Sequence, residues 1–159
     1  MLEDTDVGPM IDETQARLAE EWIAESVRLG ARLAFGGGRS GPFVAPAVLT
    51  GVPDGARLWS EEAFAPVMAV RAYATFDEAI AAVNRSRYGL QAGVFTDDLG
   101  DALRAAAEIE CGGVMINDVP SYRADLMPYG GVKDSGLGRE GPRFSVEEMT
   151  EVRLVAFRK

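Results

Sequence analysis

The sequence predicts an α/β fold in which a parallel sheet carries helices on its faces, and two observations point to it. Twice in succession, over residues 75–95 and again over 98–116, apolar residues at helical spacing give way to a short apolar run. Strands joined by such helical crossovers run parallel. The chain of 159 residues, 47% hydrophobic and 26% charged, is also long enough to bury the core that such a sheet needs.

Taken in order, residues 12–29 predict the first helix: Ala19, Ile23 and Val27 recur beside Leu18, Trp22 and Leu29, Asp12 with Gln15 imitates a capping box, and Gly30 supplies a stop. Residues 31–35 read as a strand running into Gly36-Gly37-Gly38. Residues 43–50 read as a second extended stretch closed by Gly51 and Pro53, and 67–73 as a third. Thr75 and Glu78 cap a second helix through Ala79, Ile80 and Val83, which Gly89 closes before a strand at 92–95. A third helix starts at Asp98 with Leu99, Leu103 and Ala106 on one face, and Gly112-Gly113 leads from it into a buried strand at 114–116. From 117 to 141 periodicity disappears among Pro120, Pro128 and many glycines, in a loop longer than a connection requires; such loops are functional or disordered. A short helix at 145–150 and an alternating strand through Val152, Leu154 and Ala156 end the chain.

Composition removes several function classes. The formal charge is −9, from 25 acidic against 16 basic residues, with no basic stripe to track phosphates, so nucleic acid and anionic membranes are poor partners. No apolar run reaches membrane-spanning length and no leader pattern opens the chain, which predicts a cytoplasmic protein. Cys111 is the single cysteine and histidine is absent, which excludes a disulfide framework, a Cys/His zinc site and any histidine-activated nucleophile.

Within the loop, Gly136-Leu137-Gly138-Arg139-Glu140-Gly141 matches G-x-G-x-x-G letter for letter. The dinucleotide motif also needs a preceding strand, a helix opening on it and an acidic residue about 20 positions later, and the chain ends before that point. Gly130 to Ser135 lacks the spacing of a phosphate-binding P-loop as well. By themselves these glycines fit either a tightly folded turn or a ligand-lining one.

The longer string Met127-Pro128-Tyr129-Gly130-Gly131-Val132-Lys133-Asp134-Ser135-Gly136-Leu137-Gly138-Arg139-Glu140-Gly141 resembles the "PFGGxKxSGxGREG" signature near the C-terminus of aldehyde dehydrogenases. Asp6-Val7-Gly8-Pro9-Met10-Ile11 is similar to that family's segment just downstream of its nucleophile, and Glu61-Glu62-Ala63-Phe64-Ala65-Pro66-Val67 to its "EEIFGPV". The resemblance covers essentially the whole chain. It implies one C-terminal segment of the catalytic domain over 1–159: a three-layer parallel-sheet αβ core over 1–116, the signature loop over 117–143, and a terminal helix and strand over 144–159.

The resemblance also implies roles. Glu62 corresponds to the glutamate that binds the nicotinamide ribose hydroxyls, Phe64 to the aromatic beside the nicotinamide ring, and Gln15 falls where some members place another ribose contact. The cofactor is NAD or NADP in the parent family. Without any family, Glu61-Glu62 reads first as a solvated acidic pair before a strand, and the resemblance reverses that reading. Ala65 stands where the family has glycine. Tyr129 corresponds to the aromatic lining the aldehyde tunnel, and Arg123 lies on the loop at the tunnel mouth, where its planar fork could hold an anionic head group. Within the family this looks like the branch acting on small acidic aldehydes such as phosphono- or sulfoacetaldehyde. The alternative for Arg123 is an ordinary surface ion pair with Asp118 or Asp125. Lys133 and Arg139 are expected to hold the loop, and Cys111 to be an inert thiol outside the nucleophile's glycine-flanked context.

By the resemblance, the catalytic cysteine, the general-base glutamate and the Rossmann-like domain belong to a part of the family fold that this segment does not carry. No catalytic residue is therefore expected, nor a metal site. The expected properties are weak or no dinucleotide binding by the chain alone, and self-association or docking on a full-length subunit through Phe157 and the terminal strand. Alternatives are a non-catalytic interaction module or a small anion-binding domain.

Overall fold

The structure is a computed structural model and describes residues 4–159. The chain forms two compact units, Met1–Tyr73 and Ala74–Lys159.

In the first unit α1 (Glu13–Arg28) begins where the Asp12 carboxylate accepts a hydrogen bond from the Gln15 N–H at 2.8 Å. The capping predicted from the sequence therefore forms, and it satisfies one of the orphan donors of the first turn. The helix buries Ala16, Ala19, Ile23 and Ser26. It is followed by β1 (Arg32–Phe35), β2 (Arg39–Ser40), β3 (Phe43–Val44), β4 (Ala47–Thr50), the single turn α2 (Arg57–Ser60) and β5 (Val67–Val70). β4 is central, antiparallel to β1 and parallel to β5, while β2 and β3 form a separate hairpin. Ala47 and Leu49 alternate inward along β4 and meet Ile23, Ala31, Val52 and Ala56 in the core. A strand with period two places those two side chains on one face. Arg57 of α2 pairs with Glu25 of α1 and lies over the Trp22 ring at 5.0 Å, and its hydrogen bond holds the Glu25 carboxyl below the usual carboxylate range.

In the second unit α3 (Phe76–Asn84) is capped by Thr75, whose hydroxyl accepts from the Glu78 N–H at 3.3 Å while the Glu78 carboxylate accepts from the Ala74 N–H at 2.8 Å. After β6 (Tyr88–Gly89) and β7 (Gln91–Val94) comes α4 (Leu99–Glu108), capped by Asp98. β8 (Gly113–Ile116) then pairs parallel to β7, Gln91 facing Gly113. This is the αβ repeat that the sequence predicts. Ile80, Ala105 and Ile109 form its core, with Phe76, Ala92, Val94, Cys111 and Val114 packed against them.

Several local expectations change. Residues 43–50 divide into β3 and β4 with different partners, and α2 and β6 are additions. The loop contains β9 (Val132–Lys133), antiparallel to β6. α5 (Pro142–Glu148) starts earlier than 145, because Pro142 stands in its first turn, where no N–H is needed. The terminal strand expected at Val152, Leu154 and Ala156 is not formed: residues 150–159 are exposed and without regular structure. A strand is held by a neighbouring backbone, and among the described residues none pairs there.

Candidate functional site

The loop after β8 is fastened at both ends. Asn117, in the left-handed region with φ 58°, accepts from the Thr96 N–H at 2.8 Å and donates to the Thr96 carbonyl at 2.9 Å, which ties the departing chain to the end of β7. Lys133, with φ 56°, donates from Nζ to the carbonyls of Asn84 and Ser86 and pairs with Glu110 at 2.8 Å. Arg139 donates to the carbonyls of Gly131 and Gly138 at 2.8 and 2.7 Å. Both cations hold the loop, as the sequence suggests. Gly112 makes the docking possible: a Cβ there would stand 1.6 Å from the Gly130 carbonyl oxygen.

Between these fastenings Tyr129 and Glu140 exchange backbone hydrogen bonds, at 3.0 Å from the Tyr129 N–H and 2.6 Å from the Glu140 N–H. That bridge brings three side chains together. The Arg123 guanidinium carbon lies 4.2 Å from the centroid of the Tyr129 ring, and an Arg123 N–H donates to a Glu140 carboxylate oxygen at 3.1 Å. The arginine side chain keeps 50% of its surface exposed and the glutamate 68%. Stacking holds a guanidinium plane in place while leaving donors open to solvent. Tyr129 and Glu140 also border a cavity of about 540 Å³ within this unit, with Leu90, Ser145 and Glu148 on its wall.

The structure thus joins Arg123 with Tyr129, but the ion-pair partner is Glu140 rather than Asp118 or Asp125. Asp118 instead accepts from the Val119 N–H at 2.7 Å. Sequence reasoning misses Glu140, because a contact between residues 17 positions apart in an aperiodic loop leaves no local signal. The glycine string does not cradle a phosphate. The Glu148 carboxylate sits against Gly138 and accepts from the Arg139 N–H at 3.1 Å, so an internal anion occupies that turn.

Glu62 and Phe64 belong to the other unit, on the segment between α2 and β5, and both are exposed, Phe64 by 82%. Ala65 has no left-handed φ, so its Cβ causes no strain where the family carries glycine. Gln15 contributes its backbone N–H to the α1 cap. Cys111 is half-buried against the second core, and burial pushes its thiol above the usual range, with Lys133 opposing and Glu110 adding to the rise. A thiol held protonated is a poor nucleophile. Among the described residues no helix is long and apolar enough to cross a membrane.

The model of the aldehyde dehydrogenase family matches residues 1–155. A 3-sulfolactaldehyde dehydrogenase of Priestia aryabhattai is 51% identical over 155 residues, covering 98% of this chain and 32% of that protein. The fold is similar to aldehyde dehydrogenase 21 from Physcomitrella patens in complex with the reaction product succinate, at TM-score 0.92 and 45% identity over 95% of this chain and 31% of that one. It is also similar to glyceraldehyde-3-phosphate dehydrogenase from Methanocaldococcus jannaschii complexed with NADP, at TM-score 0.89 and 40% identity over 94% of this chain and 32% of that one. The chain spans about a third of the length of these relatives.

Proposed function

The chain belongs to the aldehyde dehydrogenase family, and we propose that it supplies the head-group wall of an enzyme that oxidises a small anionic aldehyde with NAD or NADP. Aldehyde, water and oxidised dinucleotide give carboxylate, reduced dinucleotide and two protons. The observation that carries the reading is the Arg123 guanidinium stacked on Tyr129 with its fork half exposed. Sulfolactaldehyde, succinate and glyceraldehyde 3-phosphate, named for the three relatives, each bear an anionic group beyond the reacting carbon. A planar fork suits such a group.

The dinucleotide, when bound, supplies a two-electron hydride acceptor. Glu62 and Phe64 fit its nicotinamide end: an exposed carboxylate can accept two hydrogen bonds from a vicinal diol, and an exposed aromatic ring can limit movement of a flat heterocycle. Two residues make a small contact, so the chain alone binds the dinucleotide weakly. It also does not turn over alone, because Cys111 is a half-buried, protonated thiol rather than a poised thiolate. Titrating the chain with ethanesulfonate and following the arginine side-chain NMR signals tests the head-group reading. Saturable millimolar binding that disappears in Arg123→Gln is expected, together with no NAD(P)H formed from sulfoacetaldehyde. Binding indifferent to Arg123→Gln would refute the first statement, and turnover abolished by Cys111→Ser the second.

A second reading concerns assembly. Val152, Leu154 and Phe157 are almost fully exposed on a tail without regular structure. Apolar side chains in that state favour pairing with a second copy or a full-length subunit. Light scattering should give a dimer or larger species that changes on deleting residues 152–159. A concentration-independent monomer with the tail present would contradict it.

A further inference from the structure

We propose that Glu140 is an internal counter-ion for Arg123 that an incoming anionic head group must displace, so that this glutamate sets how strongly the site holds its ligand. The inference rests on the reading of Arg123 as head-group ligand and goes beyond it by assigning selectivity to a residue on the opposite arm of the loop. Three observations carry it. The Glu140 carboxylate accepts from the Arg123 fork at 3.1 Å, the donor edge to which a carboxylate, sulfonate or phosphonate would bind. The Glu140 backbone is fixed by its bridge to Tyr129, and the Tyr129 ring holds the guanidinium from its face at 4.2 Å. The glutamate is therefore held beside the cation instead of reaching it by chance. Finally, both side chains are at least half exposed, so the pair can open to solvent without burying an uncompensated charge.

These features make an exchange of anions. When a ligand arrives, Arg123 stays stacked on Tyr129, its contact with Glu140 opens, and the ligand takes the vacated donors. The opened carboxylate is rehydrated. A weak internal pair suits such a device, because an exposed ion pair contributes little and is easily replaced. It also discriminates: a neutral aldehyde offers no charge with which to displace Glu140, whereas a dianionic group competes better than a carboxylate.

The test is an NMR titration of the full 159-residue chain with ethanesulfonate at low ionic strength, reading the Arg123 side-chain signal. Glu140→Gln keeps length and backbone bridge and removes the charge; it should bind about two- to fivefold more tightly than the unmodified chain, the factor that corresponds to an exposed pair of up to about 1 kcal/mol. Asp125→Asn, on the same loop, removes an equal charge and should tighten binding less. If Glu140→Gln perturbs the fold, Glu140→Asp, which draws the carboxylate back by one methylene, should shift affinity in the same direction. Unchanged or weaker binding by Glu140→Gln, or an equal gain in Asp125→Asn, overturns the proposal and leaves the head-group reading standing. Binding that survives Arg123→Gln shows instead that the head-group reading is at fault.

Discussion

Replacing Gly112 with alanine should dislodge the signature loop and cost the second unit about 3 kcal/mol or more, the upper range for an overpacked site. A Cβ at this position would fall 1.6 Å from the Gly130 carbonyl oxygen, 2.7 Å from its carbon and 3.1 Å from the Leu90 carbonyl oxygen. All three are backbone atoms, and no side-chain rotation relieves the overlap. Gly112 itself cannot retreat easily, since its N–H donates to the Gly89 carbonyl at 3.0 Å and the next N–H to Leu90 at 3.1 Å. The loop must therefore move, and Gly130 adjoins Tyr129, the platform for Arg123. Urea unfolding followed by circular dichroism should show the loss in stability, and the ethanesulfonate titration should lose its Arg123 response. A variant within about 1 kcal/mol of the parent, an ordinary surface effect, and binding normally would show that the loop does not depend on this close approach.

Leu49→Ala should destabilise the first unit by about 3–5 kcal/mol, the range for a buried leucine whose cavity does not collapse. Leu49 is fully buried on the central strand β4, between a parallel and an antiparallel neighbour, and packs in the cluster with Ile23, Val52 and Ala56. Backbone hydrogen bonds on both sides keep the strand from closing the void. Both tryptophans, Trp22 and Trp59, lie in this unit, so the tryptophan emission midpoint in urea reads it separately from the other. A loss below about 1 kcal/mol, little more than one buried methylene contributes, would mean that the core around Leu49 repacks.

Much of the fold was legible because its signals are local. The caps at Asp12 and Thr75 form at the positions read from the sequence, and Asp98, read there as the start of the third helix, caps it, since a capping side chain and the N–H that donates to it lie within one turn. The parallel pair β7 and β8 follows from an intervening helix that returns the chain to the same side of the sheet. Less legible was 43–50, where one apolar stretch serves two different pairings, and the two-residue strands β6 and β9, too short for any period to show. The tail at 152–156 shows the limit of periodicity. Alternation describes what a strand would bury, and among the described residues no partner backbone meets the tail, which stays exposed and without regular structure. In the candidate site, Arg123 and Tyr129 were found through the signature loop. Glu140 lay inside the same string and went unmarked, because nothing in its spacing tells a loop-stabilising carboxylate from one aimed at an arginine.

By itself the sequence determined the three longest helices and where they start, at Asp12, Thr75 and Asp98, the parallel αβ repeat, the acidic character and, through the ordered signature at 127–141, membership of a family that the matches to known proteins establish. Those properties depend on neighbours along the chain or on residue order. Tertiary structure alone decided that β4 stands between β1 and β5, that Gly112 yields space to Gly130, and that Arg123 meets Glu140 across the Tyr129 bridge. These are contacts between distant positions, and their energy depends on how the loop and strands pack, which no local spacing encodes.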